Sequence, residues 1–166
     1  LVMVEQEKPR ATHIFKRGSF LNPLSKVRPG TPRSLNKIPA KIPRNRLDLA
    51  RWLVDRENPL VARVTVNRWW AEFFGRGIVR TEEDFGTQGD LPTHPKLLDW
   101  LAAKFVQSGW SIKDIHRLIM SSAAYQMSSR PNEQCYDVDP TNDLLWRFDM
   151  RRLSAEEVRD SLLWAN

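Results

Sequence analysis

A mainly α-helical domain preceded by an extended arm is the fold class that the sequence predicts, and three observations carry it. Six of the eleven prolines fall within residues 1–45, at positions 9, 23, 29, 32, 39 and 43. Proline lacks a backbone donor and pushes the residue before it towards extended conformations, so this stretch holds no long helix. From Arg46 onward apolar residues recur three and four apart, the period of one helix face. Charge divides at the same point: residues 1–45 carry ten Lys/Arg against two Asp/Glu, and residues 46–166 sixteen against eighteen, so the net +6 is an arm of +8 on a body of −2. We therefore expect a basic, proline-rich arm over 1–45 and a compact helical domain of about five to six helices over 46–166. The 166 residues, with 41% hydrophobic and seven tryptophans, suffice for a buried core.

The elements follow in order. Leu47, Ala50, Leu53 and Val54 lie on one face of a short amphipathic helix. Asn58-Pro59 then signals a helix start, and the helix carrying Ala62, Val66, Trp69, Trp70 and Phe73 runs to Gly75-Arg76-Gly77. It is expected to be the most deeply buried. A third helix starts near Thr93-His94-Pro95, presents Leu97, Leu98, Leu101 and Phe105, and stops at Ser108-Gly109. A fourth opens at Ser111, with Asp114 three residues on as a weak capping box, and presents Ile112, Ile115, Leu118 and Ile119; its short link to the third favours a helical hairpin or corner. Residues 129–143 read as a polar loop, with Asp139-Pro140 starting a brief helix through Trp146. The last helix opens with a full capping box, Ser154 and Glu157, and a hydrophobic staple, Leu153 and Val158. It has no stop signal before Asn166. That, with the opening Leu1-Val2-Met3, leads us to expect a piece of a longer protein.

The chemistry-bearing motifs are sparse. Asp84-Phe85-Gly86 is the tripeptide of protein kinases, but the glycine-rich loop, strand lysine and upstream His-Arg-Asp that kinase chemistry needs are missing. Gly75-Arg76-Gly77 follows a helix and has Arg80 where a dinucleotide loop needs its third glycine. No His-Glu-x-x-His pattern or Gly-x-Ser-x-Gly elbow occurs. A single cysteine, Cys135, excludes an internal disulfide, covalent haem attachment through Cys-x-x-Cys-His and a cysteine-rich zinc site. No metal site and no catalytic constellation is expected, so the chain reads more as a non-enzyme. No apolar run approaches the roughly 20 residues of a membrane span.

The candidate site is a polar cluster formed by Arg63, Asn67 and Arg68 on the second helix with Asp84, Thr93 and His94 of the following loop. Arg63 and Asn67 share a helix face and are placed to pair with the acidic residues of 82–90 as a structural lock. His94, at a helix start beside Asp84 and Asp90, reads as a capping residue or, less simply, as a catalytic one. Trp69 and Trp70 could offer an aromatic surface to a polysaccharide, for which hydrolysis would need two carboxylates from Glu83, Asp84 and Asp90. The basic arm could bind polyanions through counterion release. Its charges are nevertheless scattered without the aromatic interleaving that stacks bases, so nucleic acid is disfavoured against a solvated strap.

The run RLDLARWLVDRENPLVARVTVNRWWAEFFGRGIVRTEEDFGTQGDLPTHPKLLDWLAAKF, with GWSIKDIHRLIMSSAAYQMSSR and RRLSAEEVRDSLL after it, resembles the planctomycete-type, cytochrome-c-associated domain of unknown function (the PSD1-type family, DUF1553). Gly77, Val79, Arg80, Thr81, Asp84, Phe85, Gly86, Thr93, His94 and Pro95 match its pattern, so the resemblance makes Asp-Phe-Gly a family loop without kinase ancestry. It implies a module at the C-terminal side of an exported protein, periplasmic or at the cell surface, whose haem is carried elsewhere in the parent protein. The implied role is structural or interaction-mediating, docking on upstream domains of its own chain or on another protein. Carbohydrate binding or processing is the alternative, and polyanion binding through the arm a second.

Overall fold

A computed structural model of the chain describes residue 4, residues 10–36 and residues 45–165; prolines 9, 39 and 43, the opening tripeptide and Asn166 lie outside them. It comprises two compact units, Leu1–Pro59 and Leu60–Asn166. The fold is mainly helical, with six α-helices and one two-stranded sheet among the described residues.

In the first unit the extended arm contains a hairpin that its prolines did not announce. Strand β1 (Thr12–Phe15) pairs antiparallel with β2 (Pro23–Val27), matching Thr12 with Val27, His13 with Lys26 and Phe15 with Pro23 across an irregularity between His13 and Phe15. Pro23 opens its strand, the position where a missing N–H is tolerated. Helix α1 (Arg46–Leu53) is closed by a capping box: Asp48 N–H donates to Asn45 Oδ1 at 3.0 Å, and Asn45 N–H to Asp48 Oδ2 at 3.1 Å. The face expected to be apolar is not the buried one. Leu47, Ala50, Leu53 and Val54 are exposed, while Asp48 and Trp52 are buried. The cap draws Asp48 inward, and the Trp52 indole donates to the Asn36 carbonyl at 2.7 Å.

The second unit is built on α2 (Val61–Phe74), which packs against α3 (Pro95–Gln107) and α4 (Ile112–Met120). Ala62, Val66, Trp70 and Phe74 form its inner stripe, meeting Leu98, Leu101 and Phe105 of α3 and Ile115 and Ile119 of α4. Helix α2 starts two residues beyond the expected Pro59 and ends at Gly75, whose φ of 80° and N–H to Ala71 O at 2.7 Å make the left-handed stop. The tight link between α3 and α4 needs two left-handed residues, Gly109 at φ 70° and Trp110 at φ 63°. A bulky residue there is strained; the Trp110 ring lies edge-on to Phe105 at 4.9 Å, and its N–H bonds to Phe105 O. Packing therefore holds a conformation that the backbone disfavours. The Ser111–Asp114 capping box does not form, because no side-chain bond caps Ser111 and Asp114 pairs with Arg117 at 3.0 Å.

The region read as a loop and then a brief helix is inverted. Helix α5 (Glu133–Val138) lies inside the expected loop, capped by Asn132 accepting from Cys135 N–H. Residues 139–149 are irregular. Asp139-Pro140 resembles a helix start, but Asn142 and Leu145 adopt φ of 57° and 56°, which an α-helix cannot accommodate. Helix α6 (Ala155–Ala165) carries its full capping box, Glu157 N–H to Ser154 Oγ at 3.2 Å and Ser154 N–H to Glu157 Oε2 at 2.7 Å.

Candidate functional site

The segment leaving α2 is gripped from both sides. Asn67, one position beyond Val66 on the inner stripe, is 0% exposed. Its carboxamide mimics a backbone partner: Val79 N–H donates to Oδ1 at 2.8 Å, and Nδ2 donates to Val79 O at 3.0 Å. From the other side Thr93 N–H donates to Ile78 O at 2.9 Å, and its hydroxyl reaches the same oxygen at 3.3 Å. Gly77 is required by this closeness, since a Cβ there would stand 2.4 Å from Val79 O and 2.5 Å from Asn67 Nδ2.

The loop that follows closes on itself. Thr81 Oγ1 donates to Asp84 O and accepts from Asp90 N–H, both at 2.9 Å. The Asp84 carboxylate turns back to accept Gly86 N–H at 2.7 Å, a turn built by aspartate on its own backbone. Gly89 crosses so close that a Cβ would meet Asp84 O at 2.0 Å. The Asp-Phe-Gly tripeptide thus spends its carboxylate on shaping a turn.

The predicted cluster is brought together only in part. Asn67 and Thr93 meet on the Ile78–Val79 strand of chain, and His94, as N-cap of α3, holds Thr93 Oγ1 at 3.0 Å through Nδ1. Arg68 pairs with Glu83 of the loop at 3.3 Å, both side chains being largely exposed. Arg63 instead reaches Asp99 of α3 at 2.7 Å, away from the acidic loop expected to receive it. The aromatic surface needs correction as well. Trp70 is 5% exposed and stacked on Phe74 at 4.2 Å, and Trp69 is half-buried with its ring against Phe105 and His116. Both are core, because α2 faces two helices at once.

Sequence reasoning missed the other wall. Arg76 and Arg80 converge on Asp143, and Arg76 also contacts Asn142 O and, at 3.4 Å, Asp149. They clamp the 139–149 segment, which is wound around two inward polar side chains. Asp139 accepts Asp143 N–H and Leu144 N–H at 2.9 and 2.8 Å. Asn142 Oδ1 accepts Trp146 N–H, and its Nδ2 donates to Arg147 O at 3.0 Å. The Leu144 N–H holds the Asp139 carboxyl below its ordinary range despite burial, and Asp143 is lowered first by the Thr141 hydroxyl and then by Arg80. The signal for this wall was the density of Asx and Thr residues in Asp139-Pro140-Thr141-Asn142-Asp143, types that fold back on nearby backbone.

Between the walls lies a cleft lined by Trp70, Arg76, Ile78, Arg80, His94 and Asp143, with a free volume of about 10 Å³. That is room for about one water molecule. Among the described residues, no group of three His, Cys, Asp or Glu stands where it could hold a metal ion. No helix among them is long and apolar enough to cross a membrane.

No curated protein and no solved structure matches the chain. Residues 45–166 match the family described as PSD1, Protein of unknown function (DUF1553). That span covers well over half of the 166 residues, from the Asn45 cap of α1 through both walls of the cleft. The chain belongs to the DUF1553 family.

Proposed function

We propose that this chain is a structural, interaction-mediating module of a larger exported, cytochrome-associated protein, and that the clamped cleft is a frame which fixes surface geometry. One observation carries the reading: the polar side chains that build the two walls are engaged by the protein's own backbone. Asn67, Thr81, Asp84, Thr93, Asp139 and Asn142 each bond the protein's own backbone. Catalysis and ligand binding need polar groups aimed at a substrate-sized space, and this cleft has room for about one water molecule. A frame, by contrast, gains from satisfying every buried donor and acceptor.

The partner class is a haem-attachment domain of the kind that the family resemblance implies elsewhere in the same protein. The experiment is size-exclusion chromatography of this chain with that domain produced separately, followed at the haem absorbance. Co-elution in a fixed ratio is expected. Separate elution, together with saturable quenching of tryptophan fluorescence by one polysaccharide, would replace the reading with carbohydrate binding.

A further inference from the structure

The hairpin of the first unit presents a feature that the frame does not explain. Its tip, residues 16–22, is a fixed turn: Lys16 N–H bonds Asn22 O at 3.0 Å, Ser19 N–H bonds Lys16 O at 3.0 Å and Asn22 N–H bonds Ser19 O at 3.1 Å. Arg17 and Gly18 take left-handed conformations to make it. This ordered tip holds Phe20 and Leu21 outward, 77% and 75% exposed, with Leu24 and Ile14 about half exposed behind them. Lys16, Arg17, Lys26 and Arg28 flank them on the surface, and no Asp or Glu occurs between Glu7 and Asp48. A two-stranded ribbon is marginal by itself in water, and adjacent exposed apolar side chains mark an interaction surface.

We propose that this hairpin is an interfacial anchor for an anionic lipid surface, with Phe20 and Leu21 entering the acyl boundary and the flanking cations meeting lipid phosphates. The pairing of chemistries selects the partner. A polyanion such as DNA satisfies the cations, but it offers nothing to Leu21, Leu24 and Ile14. A bilayer with anionic headgroups satisfies both, since apolar side chains enter the interface while basic residues gain from its negative potential. This goes beyond the frame, which belongs to the other unit.

The test is flotation of the full chain with vesicles of phosphatidylcholine alone or mixed with phosphatidylglycerol. Binding is expected only to the mixed vesicles and should weaken as salt rises. The Phe20→Ser/Leu21→Ser double variant should bind about tenfold less or weaker still, and Lys16→Glu/Arg17→Glu should lose roughly fivefold or more per residue. Both should melt like the parent, because the altered side chains are exposed. Absence of binding to the mixed vesicles at low salt would overturn the proposal. So would equal binding by the Phe20→Ser/Leu21→Ser variant, or tighter binding to duplex DNA than to the vesicles.

Discussion

Replacing Asn67 by alanine should damage this fold more than any surface change, and the reason lies in what is left behind. The side chain is 0% exposed, and Val79, which it serves, is 2% exposed. Removing the carboxamide orphans the Val79 N–H and the Val79 C=O in a place that water does not reach. A buried group without a partner costs roughly 1–3 kcal/mol, so two cost about 2–6 kcal/mol. For a chain of this size each kcal/mol moves the melting temperature by about 3 °C, so differential scanning fluorimetry should show a fall of roughly 6–18 °C. Asn67→Leu separates the causes. It refills the volume while leaving both backbone groups orphaned, so it should melt almost as low as Asn67→Ala. A fall below about 3 °C in Asn67→Ala, or full recovery in Asn67→Leu, would refute the backbone clamp.

Other perturbations follow from the same geometry. Gly77→Ala puts a Cβ 2.4 Å from Val79 O and 2.5 Å from Asn67 Nδ2; it should force the clamp apart and cost about 2 kcal/mol or more in urea unfolding. Arg76→Ala removes the contacts to Asn142 O, Asp143 and Asp149 from a side chain that is 28% exposed, and should cost about 1–2 kcal/mol while speeding proteolysis near residues 139–149. Asp84→Ala loses one exposed turn bond to Gly86 and should cost only about 0.5–1.5 kcal/mol. Asp139 and Asp143 are both held below their ordinary 3.8, so the unfolded chain takes up protons first as pH falls. Their stabilisation is complete well above pH 3.8 and is lost as the pH drops from there through the lowered folded values. Acid unfolding of Asp143→Asn should therefore depend less on pH over that range than the parent's.

Local signals were legible where a helix end is decided by its own residues. Ser154 with Glu157, Thr93-His94-Pro95 and Gly75 each act within one turn, and each element stands where those residues put it. Long-range burial was legible less well. Leu47 and Leu53 share a face by spacing, yet Trp52 is the residue that finds a partner, at Asn36, and nothing within α1 announces it. The clamp was half visible. Asn67 falls three before Trp70 and seven before Phe74, the spacing of the inner stripe, so a polar residue on an apolar face was the available signal. The opposite wall was hidden because Asp139-Pro140 satisfies a helix-start rule, while Asn142 and Leu145 take left-handed turns instead and the segment is held at Asn142 O and Asp143 by Arg76 and Arg80, more than sixty residues earlier in the chain.

The central claim, that the residues joining α2 to α3 form a rigid frame, is tested most directly by native-state hydrogen exchange at Val79 and Thr93. Their amides donate to Asn67 Oδ1 and Ile78 O. A frame opens only when the domain unfolds, so both amides should exchange with the full unfolding free energy, matching those in the middle of α2 and α3. Exchange through a much cheaper local opening would contradict the account, because it would make this segment a mobile loop of the kind that binds and releases ligands.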